Sequence, residues 1–130
     1  MPASMNEPDR RLWAVRGAIK VASNDVDAIL DASEELMSEL MSRNELEPDA
    51  IVSCLFTATD DLNAEFPAVA ARRLGLDSVP LLCSRELDVP GAMRGVIRVM
   101  VHYYAPANHV PTHTYLGKAQ ELRSDLEAAQ

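Results

Sequence analysis

The sequence predicts a single α/β (α+β) domain in which a mixed β-sheet carries its helices on one face. Three observations lead to this fold class. Five segments have the alternating or uniformly apolar pattern of strands. One long and one short stretch of helical periodicity separate them, in the order βαβαβ(α)ββ. The 130 residues are 48% hydrophobic and 25% charged, a composition typical of one ordered globular domain.

The first half of the chain predicts a strand, a long helix and a second strand. In residues 12–21 apolar and other side chains alternate, which predicts a strand with one buried face. A polar cluster at 23–25 suits a helix N-cap, and apolar residues then repeat at helical spacing up to Arg43. Residues 50–59 are almost continuously apolar, and we expect them to form a buried strand.

The second half predicts a short helix followed by three strands. Residues 67–75 begin with proline and end with glycine, as helices often do. Residues 78–83 are predicted to be a strand, and the polar segment after them a turn. Residues 95–104 alternate and are predicted to be a strand, and residues 112–119 are predicted to be the last one.

The two ends of the chain are polar. We interpret residues 1–11 as a flexible extension and residues 127–130 as a frayed tail, so that the domain spans 12–126. No stretch is long and apolar enough to cross a bilayer. The N-terminal residues lack the apolar region of a signal peptide, and a cytoplasmic location is therefore expected.

The chain is acidic, with 12 basic against 20 acidic residues and a net charge of −8. Such a balance argues against nucleic acid or an anionic membrane as partner, because both need a basic surface. Ten of the twelve basic residues are arginines. Arginine is suited to bidentate recognition of carboxylates and phosphates, although a codon bias towards arginine explains the count equally well.

Two arginines occupy special positions in the predicted strands. Arg16 and Arg98 each lie on the face opposite to the apolar side chains of their strand. A buried or half-buried arginine needs a partner. Either a carboxylate of this chain or an anionic ligand could supply it, and the residues alone leave both possibilities open.

Common catalytic patterns receive little support. His109 and His113 are separated by a proline and lack a third ligand at zinc-site spacing, so no metal site is expected. Cys83 could form a nucleophile set with Glu86 and a histidine, but a small buried side chain is the simpler interpretation. The sequence has no phosphate-binding glycine loop and no nucleophile-elbow motif.

Several patterned segments occur in one order and spacing. They include V-R-G-A at 15–18, F-P-A-x-A-x-R-x-L-G at 66–75, V-P-x-x-C-x-x-E-x-D-V at 79–89, I-R-V-M at 97–100 and T-Y-L-G-K-A at 114–119. In this combination, over about residues 13–126, the chain resembles the bacterial chorismate mutases of the trimeric pseudo-α/β-barrel class. The all-helical class of chorismate mutases is different.

The resemblance implies that a homotrimer, a pseudo-α/β barrel, converts the dicarboxylate chorismate to prephenate at sites between neighbouring subunits. On the matching positions it implies that Arg98 contacts the breaking ether oxygen and a carboxylate, and that Glu86 hydrogen-bonds the ring hydroxyl. Arg16 and Tyr115 match residues that bind a carboxylate. Cys83 matches a cysteine that lines the pocket near the hydroxyl.

The resemblance also implies a contribution from the neighbouring subunit. Phe66 and Ala68 match its apolar wall, and Arg72 matches a residue near the ring carboxylate. Leu122 and Arg123 match a C-terminal pair that closes over the site. Two rim positions differ from the family pattern: Val69 stands where a lysine can occur and Leu82 where a threonine can occur.

The implied reaction suits the sequence, because a [3,3] rearrangement needs no nucleophile, proton transfer, metal or cofactor. Fixed hydrogen-bond donors aimed at developing charge are enough to accelerate such a reaction. Two alternatives keep the fold. One is an imine deaminase, and the other is a non-catalytic trimer that binds a carboxylate metabolite. The C-x-x-E and I-R-V-M motifs favour the mutase over both.

Overall fold

Five strands form one mixed sheet in the computed structural model, which describes residues 9–122. In chain order they are β1 (Arg10–Lys20), β2 (Ile51–Ala58), β3 (Leu81–Arg85), β4 (Val96–Pro106) and β5 (Thr114–Leu116). Their order across the sheet is β3-β2-β4-β1-β5. β4 is antiparallel to β1 and β2, whereas β5 and β3 run parallel to β1 and β2 respectively. The predicted fold class is confirmed.

Among residues 9–122, two α-helices and two 3-10 segments accompany the sheet. The helices are α1 (Val26–Arg43) and α2 (Ala68–Arg73), and the 3-10 segments are Pro48–Ala50 and Gly117–Leu122. The predicted limits of the long helix are confirmed. Its N-cap, Asp25, accepts a hydrogen bond from the Ala28 amide at 2.8 Å. Bonds from the Ser23 hydroxyl and this amide lower the pKa of Asp25. Within residues 9–122 no helix has the length and apolarity of a bilayer span.

The two faces of the sheet are covered differently. The main core lies between one face and the two helices, and its largest buried side chains are Tyr103, Phe56, Ile29, Leu36, Met37 and Leu40. A smaller cluster lies on the other face under the segment Gly117–Leu122, and it contains Ala18, Val96, Tyr115 and Ala119. We call this second face of the sheet the open face. Its middle carries the half-buried side chains of Arg16 and Arg98.

Four strands, β1, β3, β4 and β5, differ from the sequence predictions by two residues or more at one or both ends. β1 begins at Arg10, two residues early, because β4 extends to Pro106 and offers pairing partners there. β3 begins at Leu81, after Pro80, and continues to Arg85 along β2. The strand predicted for 112–119 is wrong beyond Leu116. Gly117 has φ of 57°, which turns the chain into a 3-10 helix. The prediction of a flexible extension is wrong for Arg10 and Arg11, which pair with β4 as part of β1. Residues 1–8 of that extension and the predicted tail 127–130 lie outside the described residues.

Gly17 permits the close packing of β1 under α1 and beside β5. A Cβ atom at this position would lie 2.9 Å from the Thr114 carbonyl oxygen and 3.1 Å from Leu36 Cδ1. The carbonyl belongs to the backbone of a paired strand, so it cannot move aside cheaply. The glycine of the V-R-G-A motif is therefore required by packing.

We expect Gly17→Ala to lower the free energy of unfolding by about 1–3 kcal/mol, the usual cost of overpacking a core. Urea denaturation measures this difference. Ala14→Ser, which is exposed on the same strand, serves as control and is expected to stay within about 0.5 kcal/mol of the wild-type protein. Equal stability of Gly17→Ala and wild type would contradict the packing argument.

Candidate active site

Two site residues predicted from the sequence, Arg98 and Tyr115, lie in one row across the open face. Arg98 on β4 is opposite Thr57 on β2 and opposite Ala18 on β1, and Ala18 is opposite Tyr115 on β5. Neighbouring strands are about 4.8 Å apart, so the row from Thr57 to Tyr115 spans roughly 15 Å. Ala18, which lies between Arg98 and Tyr115 in this row, is fully buried in the small cluster with Tyr115.

Arg98 and Glu86 form the central ion pair of this face. Arg98 Nε donates to Glu86 Oε2 at 2.9 Å and to Oε1 at 3.1 Å. The Thr57 hydroxyl donates to the same Oε2 at 2.7 Å. The side chains of Arg98 and Glu86 are 30% and 15% exposed. The sequence left open whether Arg98 pairs with a carboxylate of its own chain or with an anionic ligand. In the structure the Glu86 carboxylate of the same chain is its partner.

The pairing leaves the outer part of the Arg98 guanidinium available. Glu86 contacts Nε, and within residues 9–122 no partner of the two Nη nitrogens is found. Those nitrogens carry four of the five N–H donors of an arginine side chain. The carboxylate therefore orients the guanidinium, and the Nη groups can meet an acceptor above the sheet.

The backbone around Glu86 is held at both ends of its loop. The Glu86 amide donates to the Ala58 carbonyl at 3.0 Å, which extends the pairing of β2 with β3. Further along, Arg94 Nη1 lies 2.9 Å from an Asp60 carboxylate oxygen and 3.3 Å from one of Asp88. These contacts fix the loop between β3 and β4, and with it the position of the Glu86 carboxylate.

Arg16 lies in the next row of the open face. It is opposite Met100, so it is a diagonal neighbour of Arg98 on the adjacent strand. Diagonal neighbours on one face are about 7–8 Å apart. Within residues 9–122 no acidic side chain forms an ion pair with Arg16. Since Glu86 balances the charge of Arg98, the net positive charge of this group comes from Arg16.

A second group of predicted site residues lies at the β3 edge of the sheet. Phe66, Ala68, Arg72 and Cys83 line one groove of about 310 Å³, together with Val69, Leu81 and Leu82. Phe66 is 67% exposed and Leu82 is 61% exposed. The side chain of Cys83 packs on the helix side of the sheet, whereas Arg98 and Glu86 meet on the open face. Cys83 thus joins the group of Phe66 and Arg72.

The environment of Cys83 keeps its thiol protonated. Burial raises the pKa of Cys83, while a hydrogen bond from the Ala68 amide and the charge of Arg72 act in the opposite direction and are smaller. The thiolate is the nucleophilic form of cysteine. These surroundings favour the interpretation of Cys83 as a lining residue.

We expect Cys83→Ala to lower kcat/KM by no more than about tenfold, the effect of losing one weak neutral contact. In the wild-type protein, iodoacetamide should label Cys83 more slowly at neutral pH than a free thiol, and the rate should rise with pH into the alkaline range. Mass spectrometry locates the label, and the fully buried Cys54 should stay unlabelled in the native state. Loss of all activity in Cys83→Ala, with a trappable substrate adduct in wild type, would contradict this role.

The remaining predicted residues lie at the β5 end of the row. Tyr115 is largely buried in the small cluster with Ala18, and Leu122 packs against that cluster from the 3-10 segment. Arg123 lies outside the described residues. Leu122 is therefore near the row of site residues, at the end opposite to Thr57.

Sequence reasoning missed Thr57 and His113. Thr57 holds Glu86, and the ring of His113 accepts a hydrogen bond from the Arg16 amide at 3.1 Å. Thr57 is, with Ser53, one of two polar residues in the largely apolar strand β2, and this was the available signal for it. For His113 the sequence suggested only a metal ligand or a histidine beside Cys83, and neither role includes this bond. Among residues 9–122 no three histidine, cysteine, aspartate or glutamate side chains are grouped as a metal site requires.

Comparison with known proteins gives matches over almost the whole chain. A family model described as chorismate mutase type I matches residues 12–126. Chorismate mutase AroH of Thermus thermophilus is 41% identical over 119 residues, which cover 89% of this chain and 97% of that protein. Chorismate mutase AroH of Bacillus subtilis is 38% identical over 115 residues, with coverages of 86% and 90%. A solved chorismate mutase from Clostridium thermocellum matches with a TM-score of 0.77 and 41% identity, covering 84% of this chain and 98% of the other.

Proposed function

Since this chain belongs to the chorismate mutase type I family, we propose that the Arg98–Glu86 pair is the centre of its active site. The protein is a chorismate mutase, an isomerase that converts chorismate to prephenate. The observation that carries the proposal is the bifurcated hydrogen bond from the Nε–H of Arg98 to both carboxylate oxygens of Glu86, which leaves the Nη donors available on the open face. Family membership favours the mutase over the imine deaminase and the non-catalytic binding trimer.

The role of Arg98 follows from charge development in the rearrangement. As the carbon–oxygen bond of chorismate breaks, negative charge grows on the ether oxygen. A fixed donor aimed at that oxygen stabilises the transition state more than the ground state. The guanidinium has a permanent charge and a planar fork, so one Nη group can meet the ether oxygen while the other meets a carboxylate.

Glu86 has two tasks in this proposal. It orients Arg98 through Nε, and it accepts a hydrogen bond from the ring hydroxyl of the substrate. A carboxylate has about four acceptor sites. Arg98 and Thr57 occupy three acceptor sites of the Glu86 carboxylate. One acceptor site is left for a further donor. The same group can therefore hold the catalytic arginine and the substrate.

Arg16 and Tyr115 bind the substrate carboxylates in this proposal. Chorismate is a dianion and the protein has a net charge of −8, so the substrate is repelled at long range. A local cluster of arginines reverses the potential at the cleft. Arg16 beside Arg98 on the open face supports this function. Holding both carboxylates also keeps the substrate in the compact conformer that rearranges.

A neighbouring copy of the chain completes the site. We assign Phe66, Ala68, Arg72 and Cys83 to the wall that one subunit contributes to the site of the next, with Leu122 and Arg123 closing the cleft. The exposure of Phe66 and Leu82 supports this, because large apolar side chains at a sheet edge favour contact with a partner. In a cyclic homotrimer, each of the three subunits would bury this edge against its neighbour.

Turnover of chorismate by the purified protein tests the function, with prephenate identified as the product by NMR. The chain offers a test variant and a matched control on neighbouring residues. Arg72→Ala is expected to weaken activity strongly, whereas Arg73→Ala, the next residue of the same helix, is expected to retain nearly all of it. A wild-type protein that leaves chorismate unchanged would overturn the proposed function.

The trimer gives a separate prediction. Light scattering should give three times the chain mass of 14.3 kDa at micromolar concentration. Arg98→Ala and Arg72→Ala subunits, unfolded together and refolded as a mixture, should regain activity. In random mixed trimers about one quarter of the sites combine an intact Arg98 from one subunit with an intact Arg72 from its neighbour. A mass of one or two chains, or no regain of activity, would contradict the shared site.

A further inference from the structure

The ring of His113 completes the pairing of β1 where the backbone ladder stops. β5 pairs with β1 from Gly17, which is opposite Thr114, to Ile19, opposite Leu116. Arg16 is one residue outside this ladder. Its amide N–H donates instead to His113 Nδ1 at 3.1 Å. A backbone donor at this half-buried position needs a partner, and the side chain of the preceding segment supplies it.

The segment that presents His113 is itself fixed. The Thr112 amide donates to Asn44 Oδ1 at 2.8 Å, and Asn44 Nδ2 donates back to the Thr112 carbonyl at 3.0 Å. Asn44 is buried at the end of α1. On the other side, Thr114 is fully buried and pairs with β1. His113 therefore stands between two anchored neighbours, and its ring has little freedom to move away from Arg16.

The hydrogen bond defines the state of the ring. A backbone N–H can only donate, so Nδ1 of His113 is the acceptor and carries no proton while the bond exists. The ring then carries its proton on Nε2. An apolar side chain of similar size at this position would leave the Arg16 amide without its partner, and the start of the β1–β5 pairing would loosen.

We propose that His113 is a positioning residue that fixes the main chain of Arg16 through this bond, so that the Arg16 guanidinium meets the substrate carboxylate at a set place on the open face. The proposal rests on the proposed function. The same segment continues to Tyr115, which is opposite Ala18. His113 thus holds the two carboxylate-binding residues of neighbouring strands, Arg16 and Tyr115, in a fixed relation.

Two variants test the bond itself. His113→Leu removes the acceptor, and we expect KM for chorismate to rise by about 5–50-fold, with a smaller fall in kcat, because Arg16 acts mainly in binding. His113→Asn places Oδ1 at the same number of bonds from Cβ as Nδ1. It should bring KM back to within about threefold of wild type. The control variant is His109→Leu. His109 is hydrogen-bonded to Tyr103, which lies towards the end of β4 that is away from Arg98, and KM of this variant should stay within about twofold of the wild-type value.

A double-mutant cycle separates this role from general loosening of the fold. In an Arg16→Ala background, His113→Leu should have almost no further effect on KM, because the residue through which it acts is already missing. Amide hydrogen exchange followed by NMR gives a readout without substrate. The Arg16 amide should exchange faster in His113→Leu than in wild type, and His113→Asn should restore its protection.

The outcomes are distinct. Additive effects of His113→Leu and Arg16→Ala, or no recovery in a folded His113→Asn, would overturn the proposal while chorismate turnover by the wild type leaves the proposed function standing. Absence of wild-type turnover would overturn both. If His113→Leu does not fold, His113→Gln replaces it. Its acceptor lies one bond further from Cβ, and it should therefore show the raised KM that His113→Asn lacks.

Discussion

Replacing Arg98 with lysine is expected to lower kcat by about 10³-fold or more, although the charge is kept. Loss of one preorganised donor at a developing oxyanion costs about 10²–10³ in kcat. In this protein the arginine divides its donors, with Nε on Glu86 and the Nη groups facing the substrate. A lysine has one nitrogen on a flexible stem and cannot serve both. The fall should therefore exceed the loss of a single donor.

Steady-state kinetics with chorismate measures this effect, and KM should rise less than kcat falls. A neutral isostere, citrulline, should be worse for kcat than for substrate binding, since the charge matters most as the bond breaks. Arg43→Lys is the control, because Arg43 is an exposed residue of α1 in a weak contact with Glu39. Wild-type kcat with a raised KM in Arg98→Lys would make Arg98 a ground-state anchor and contradict the mechanism.

Replacing Glu86 with alanine should lower kcat/KM by about 10²-fold, since the ring hydroxyl loses a charged acceptor and Arg98 loses its orienting partner. Glu86→Gln keeps one acceptor oxygen and should cost only about tenfold. Thr57→Val removes the hydroxyl that holds the carboxylate and should have a smaller effect than either.

Coupling to Arg98 is the decisive measurement for Glu86. If Glu86 acts partly by orienting Arg98, then Glu86→Ala combined with Arg98→Lys should lower kcat/KM by much less than the product of the two single effects. Fully multiplicative effects would show that Glu86 acts on the substrate alone. Full activity in Glu86→Ala would show that Arg98 is held by other means.

The elements with strong periodicity were predictable from the sequence. α1 has its predicted limits because its apolar spacing is regular and its N-cap is a favoured residue. The alternation of side chains along β1 was enough to predict that Arg16 and Val15 lie on opposite faces of the sheet. The prediction of the last strand is wrong beyond Leu116 because Gly117 takes a left-handed conformation. Nothing in the local sequence pattern distinguishes such a glycine from a glycine within a strand.

The contacts of the candidate site depend on the order of strands in the sheet, which periodicity does not contain. Glu86 and Arg98 are joined across β2, which lies between β3 and β4. Their meeting could not be inferred until Thr57 was known to lie beside both. The family resemblance gave the residue types, whereas the division of the Arg98 donors and the bond from Arg16 to His113 required coordinates.

The order of the strands also has a consequence for how the chain folds. β1 is made first, yet both of its partners, β4 and β5, belong to the last third of the sequence. At typical rates of synthesis β1 waits on the order of 5–15 s on the ribosome before β4 exists. Pairings so distant in sequence make folding slow. The centre of the sheet, and with it the row from Thr57 to Tyr115, therefore forms late, and a nascent chain that ends before β4 exposes a strand with no partner for either edge.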